Sequence, residues 1–160
     1  MQASNAAQIS EKPEMPETSQ TPQRYASVFR PGLFVGKLHW VTGGGSGIGR
    51  CVAHELASLG ATVVISGRTQ EKLDQVAAEI AADGGRCVTA CWELRDEDAV
   101  KTGVGHMVAE HGAIAGLVNN AGGQFPAPLM AISKKGFDAV VANNLTGGFI
   151  FMREAYNRCM

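Results

Sequence analysis

Residue type and spacing point most directly to chemistry at Thr42-Gly43-Gly44-Gly45-Ser46-Gly47-Ile48-Gly49-Arg50. Glycines this dense let the main chain turn sharply and admit a ligand with no side chain in the way. A helix beginning inside the run adds free N–H groups and the positive end of its dipole, which suits a phosphate. A second feature is Gly67-Arg68. An acid at the position of Gly67 would bind a ribose 2′-hydroxyl and favour NAD. Glycine cannot, whereas the adjacent guanidinium can pair with a 2′-phosphate. NADP is therefore the expected cofactor, with NAD less favoured. The competing account of Arg68 is a solvated arginine at a helix start.

The elements that must position these residues follow from periodicity. Lys37–Thr42 reads as a strand, and the glycine turn leads into a helix over about 47–59, stopped by Gly60. Thr62–Ser66 is β-branched and continuous, as a strand buried on both faces should be. A second helix runs over about 71–82, with Leu73, Val76, Ala77 and Ile80 on one face. A strand at about 86–91, a helix near 97–111 and a strand near 114–119 follow, then a long helix from about 136 onward. This alternation predicts right-handed crossovers and a parallel, doubly wound α/β sheet of Rossmann type. Four strands are expected, in the order 3-2-1-4. Residues 1–24 are rich in Gln, Glu, Pro, Ser and Thr and are expected to be a disordered tail. The nucleotide-binding domain is assigned to 25–160.

The spacing Thr-Gly-x-x-x-Gly-x-Gly at Thr42–Gly49, Asn119-Asn120-Ala121-Gly122 after the fourth strand, and Asn143-Asn144-Leu145-Thr146-Gly147 in the last helix occur in that order. On these three motifs the region 33–160 resembles the short-chain dehydrogenase/reductase family. The resemblance implies that Gly43, Gly47 and Gly49 shape a pyrophosphate turn lined by Ser46 and Ile48. It places Asn120, Ala121 and Gly122 beside the nicotinamide ribose. Glu93 stands where the family has an Asp that bonds adenine. Asn144 corresponds to the Asn of the catalytic tetrad, which holds a helix distortion and a water of the proton relay. Gly122-Gly123-Gln124-Phe125 and the lead-in Phe29–Phe34 look like the enoyl-CoA and 2,4-dienoyl-CoA reductases and the citronellol-type terpenoid alcohol dehydrogenases. The implied reaction is hydride transfer between NADP(H) and an alcohol/carbonyl or enoyl-CoA substrate.

The family's Ser and Tyr-x-x-x-Lys are absent: Tyr25 is followed four residues on by Phe29, and Tyr156 by Met160. The chain is therefore expected to be truncated and inactive on its own. The alternative is a non-catalytic nucleotide-binding remnant or regulatory module. A methyltransferase is a more distant third, since it would not be expected to show Asn-Asn-Ala-Gly.

Composition sets the outer limits. A formal net charge of -1 gives no electrostatic reason to expect nucleic acid or an anionic membrane. No run of about 18 apolar residues predicts a membrane span. Cys51, Cys87, Cys91 and Cys159 lack partners at metal-ligand spacing, so no metal is expected. The expected location is cytoplasmic and the expected substrate a small molecule, with acyl-CoA and terpenoid alcohols the candidates. The last helix, apolar around much of its circumference, is expected to bury a second face in a homo-oligomer.

Overall fold

Val63, Val64 and Ile65 are wholly removed from solvent. They belong to β2 (Thr62–Gly67), and the alternation of their side chains places a strand between two hydrophobic layers. The computed structural model describes Tyr25 and residues 27–159. The tail assigned to residues 1–24 lies outside the described residues. β2 is flanked by β1 (Leu38–Thr42) and β3 (Arg86–Cys91), and β4 (Ile114–Val118) pairs with the far side of β1. All pairings are parallel and the order is β3-β2-β1-β4, as expected.

One layer packs Val41, Val63 and Ile65 against Ala53 and Ala57 of α1 (Gly47–Ser58) and Leu73, Val76 and Ile80 of α2 (Gln70–Ala82). The other packs Leu38, Trp40 and Val64 against Val100 and Val104 of α3 (Glu97–His111), with Ile150 and Phe151 from the last helix. Trp40 anchors this second layer. Its ring meets the edge of Phe151 at 5.0 Å and stacks on Trp92 at 5.6 Å, and its indole N–H donates to Ser66 Oγ at 3.0 Å.

The helix ends follow their glycines. Gly60, at φ +93°, donates to Ala57 O while Ala61 donates to Leu56 O, the paired bonds that close a helix on a left-handed residue. No helix among the described residues is long and apolar enough to cross a membrane.

The expected single helix from 136 onward is instead three pieces. α4 (Lys134–Val141) passes into a π-helical turn over Ala142–Thr146 and then α5 (Gly147–Cys159). Apolar periodicity alone cannot register one extra residue per turn. Such a bulge commonly marks a functional site.

Candidate functional site

The chain enters β1 at the middle of the sheet, moves outward through β2 and β3, and then crosses back to β4. The reversal leaves a crevice at the carboxyl ends of β1 and β4, where open α/β sheets bind ligands. The cleft found there has a volume of about 370 Å³. Gly43, Ser46 and Ile48 line it from the glycine turn, Arg68 from the end of β2, Glu93 from beyond β3, and Asn120, Ala121 and Gly122 from beyond β4. Eight of the ten residues expected to hold cofactor thus surround one space.

Gly47 and Gly49 do not line it, and their roles separate. A side chain on Gly49 would collide with Asn120 Nδ2 and the carbonyl of Gly43, so this glycine lets α1 close on the turn. Gly43 is held similarly: a Cβ there would lie 2.9 Å from Ala121 Cα, and its φ is +68°. Gly47 has φ +54° with nothing within 4 Å of a Cβ. It supplies conformation, not close packing.

The turn is stapled to the β4 loop by two residues. Thr42 Oγ1 accepts the amide N–H groups of Asn120 and Ala121, each at 3.0 Å. Asn120 Nδ2 returns bonds to the carbonyls of Thr42 at 2.9 Å and Gly43 at 3.2 Å. The Asn120 side chain is therefore occupied in fixing the turn. The part of Asn120-Ala121-Gly122 left to face a ligand is chiefly backbone.

Ser46 sits at the N-cap of α1 with extended backbone and makes no capping bond with its side chain. Its hydroxyl and the first N–H groups of α1 stay available on the cleft side. Ile48 is 77 % exposed within that first turn, an apolar side chain on the wall of the cleft.

At the other end, Glu93 Oε2 lies 2.9 Å from Arg95 Nη2 and 3.8 Å from Arg68 Nη1. Hydrogen bonding from Arg95, aided by its charge and that of Arg68, holds the Glu93 carboxyl below the ordinary carboxylate range. Lys72, in the first turns of α2, and Trp92 also line the cleft, and the sequence reading missed both. Lys72 was signalled by its position four residues after Arg68 at a helix start. Trp92 carried no signal beyond its place after β3.

Asn144 lies in the π turn but does not line the cleft; its neighbour Asn143 does. Asn144 Nδ2 donates to Gly123 O and Val140 O, both at 2.8 Å, and Oδ1 accepts from Gly123 N at 3.2 Å. Its side chain therefore ties the helix distortion to the loop after β4. Among the described residues no group of three His, Cys, Asp or Glu side chains is placed to hold a metal ion.

Comparison with known proteins agrees with this geometry. The family described as short chain dehydrogenase matches residues 37–160. A probable 2,4-dienoyl-CoA reductase of Caenorhabditis elegans is 37% identical over 141 residues, covering 87% of this chain and 46% of the relative. Among solved structures, a citronellol catabolism dehydrogenase of Pseudomonas aeruginosa PAO1 is 56% identical with a TM-score of 0.81, over 85% of this chain and 56% of that one. A metagenomic short-chain oxidoreductase in complex with NADP is 38% identical with a TM-score of 0.71, over 76% of this chain and 55% of that one. The chain spans about half the length of the relatives it matches. With its motifs, strand order and cleft in agreement, this chain belongs to the short-chain dehydrogenase family.

Proposed function

We propose that this chain forms the NADP(H)-binding half of an oxidoreductase that transfers hydride between the cofactor and an alcohol/carbonyl or enoyl-CoA substrate. The observation that carries the reading is Arg68, opening on the cleft directly after a Gly67 that offers no acid to a ribose 2′-hydroxyl. The cleft fits a dinucleotide on its own terms. Its glycine turn brings no side chain to the cleft at Gly43 and Gly45, the start of α1 offers unspent N–H groups, and cations stand at the far end.

Gly43, Ser46, Ile48, Asn120, Ala121 and Gly122 would hold the pyrophosphate and nicotinamide ribose, with Gly47 and Gly49 shaping the turn. Arg68 would grip the 2′-phosphate and Glu93 would meet the adenine edge. When bound, the nicotinamide supplies the hydride. Asn144 keeps the loop after β4 and the π turn in one register, so that Asn143 and the Gly122 backbone face the same space. The likeness to a 2,4-dienoyl-CoA reductase and to a citronellol catabolism dehydrogenase supports an acyl-CoA or terpenoid alcohol substrate. We further propose a cytoplasmic location and self-association through α5.

Titration of the chain with NADPH and NADH tests the cofactor reading. Arg68→Ala should weaken NADPH about 10- to 100-fold, the worth of a charge-assisted bond to a phosphate, and leave NADH nearly unchanged. Equal losses for both cofactors would overturn the 2′-phosphate assignment.

A second reading, a nucleotide-binding module without turnover, is favoured by one observation: no Tyr-x-x-x-Lys occurs in the 160 residues. Positioned acid–base groups contribute about 100- to 10,000-fold, so the chain alone should bind NADPH yet reduce carbonyl substrates far below an ordinary enzyme rate. NADPH oxidation at full rate with a carbonyl substrate would require a proton donor elsewhere in these residues.

A further inference from the structure

Three cations and one carboxylate meet at the adenosine end of the cleft. Arg68, Lys72 and Glu93 line it, whereas Arg95 stands behind Glu93 and does not. Glu93 is not shared evenly. Arg95 takes it with two side-chain bonds, Nη2 to Oε2 at 2.9 Å and Nε to Oε1 at 3.2 Å, and adds its own backbone N–H to Oε1 at 3.4 Å. Arg68 approaches Oε2 only to 3.8 Å, beyond hydrogen-bond distance, and its side chain is 68% exposed. A guanidinium that grips a carboxylate at two points fixes its direction as well as its charge.

We propose that Arg95 controls cofactor choice from outside the cleft, by holding Glu93 so that Arg68 stays free for a 2′-phosphate. This rests on the NADP reading above. With Arg95 in place, one cation neutralises Glu93, and Arg68 and Lys72 together present two positive charges, matching the roughly two negative charges of a phosphomonoester. Without Arg95, the nearest cation to the Glu93 carboxylate is Arg68. The pair would close, and a phosphate would then have to displace a carboxylate to reach the same guanidinium. NADH carries no such phosphate and shares with NADPH only the displacement of Glu93 from the adenine edge. Arg95 is thus a positioning residue that acts through Glu93.

The experiment is a set of NADPH and NADH titrations of this chain, followed by tryptophan fluorescence, since Trp92 lines the cleft. Arg95→Met keeps an apolar stem and removes the grip. It should weaken NADPH about three- to fivefold, the scale of an exposed ion pair, and NADH distinctly less. Glu93→Gln added to Arg95→Met should return NADPH affinity to that of Glu93→Gln alone, because no carboxylate remains to capture Arg68. Unchanged NADPH affinity in Arg95→Met, equal losses for both cofactors, or failure of the double variant to recover would each overturn the proposal. Arg68→Ala separates the two readings. If it is selective against NADPH while Arg95→Met is not, only the role of Arg95 fails. If Arg68→Ala is itself unselective, the 2′-phosphate reading fails first.

Discussion

Thr42 holds two amide groups with one oxygen. Thr42→Val keeps the shape and leaves the N–H of Ala121 without its acceptor, at a cost of about 1–3 kcal/mol where water cannot reach, while the N–H of Asn120 keeps Val118 O at 3.0 Å. We expect a stability loss of about 1–3 kcal/mol in urea unfolding, with Thr42→Ser close to the parent. A loss within error for Thr42→Val would mean that water replaces the hydroxyl. The glycines separate at the same scale. Gly47→Ala meets no neighbour but forces an L residue to φ +54°, a strain of about 1–2 kcal/mol. It should fold. Gly47→Val should fold less well and lose NADPH binding, because a β-branched residue is strained further at φ +54° and the turn that opens α1 cannot keep its shape. Gly49→Ala drives a methyl into Asn120 and Gly43 and should disorder the turn itself. NADPH binding of unchanged affinity by either Gly49→Ala or Gly47→Val would contradict this division. Cys87 provides a control on burial, since removal from water pushes its thiol up to about 12. The raised value means that its contribution to stability is present below the unfolded thiol pKa and is lost as pH rises toward about 12. Alkylation at mildly alkaline pH should reach the exposed Cys51 and Cys91 well before Cys87.

Between elements, α1 and α2 are clasped by charge as well as by their apolar faces. Arg50 Nε donates to Glu79 Oε2 at 2.7 Å, and His54 Nε2 lies 3.2 Å from the same oxygen. The Arg50 hydrogen bond leads in holding Glu79 below the usual carboxylate range. A depressed pKa stabilises the folded state above the unfolded carboxylate value, and the contribution disappears as pH falls through the lowered one. Glu79→Gln should therefore cost stability at neutral pH, under about 1 kcal/mol because Arg50 is largely exposed, and cost nothing in strong acid. A difference that persisted in strong acid would point to packing instead. The same scale shows what was legible in the sequence. Strand and helix positions were, because β-branched runs such as Val63-Val64-Ile65 and the Leu73/Val76/Ile80 stripe announce their periods. So were the glycine turn and the Asn-Asn-Ala-Gly loop, which local motif spacing specifies. The π turn was not, since one extra residue in a helix leaves no mark on apolar spacing. Nor was the division of Glu93 between Arg95 and Arg68, which depends on where two loops place three flexible side chains.

Over the whole molecule, the burial of α5 is one-sided. Ile150, Phe151 and Ala155 face α3 and the sheet, while Leu145 in the π turn and Phe149, Met152 and Tyr156 along α5 are at least half exposed. β4 likewise ends the sheet with no further strand beside it among the described residues. An apolar stripe beside an unpaired strand edge favours association. Sedimentation should show concentration-dependent self-association of this chain, reduced in Phe149→Glu or Met152→Glu with no change in NADPH affinity. A strictly monomeric chain at high concentration would remove the proposed role of α5. The staple between the glycine turn and the β4 loop has a further consequence, in time. Asn120 is bonded to Thr42 across 78 residues of chain, with α1, α2, α3 and three strands made in between. At about 5–20 residues per second, the ribosome needs roughly 4–14 s to pass from Gly49 to Asn120. Until then the turn has neither the acceptor pairing at Thr42 nor the brace at Gly43. Contacts so distant in sequence form late, after the local helices and the β1–β2 pair. The nucleotide site is thus among the last parts of the molecule to take shape, and NADP(H) added during refolding should leave early rates alone while slowing the return to the unfolded state.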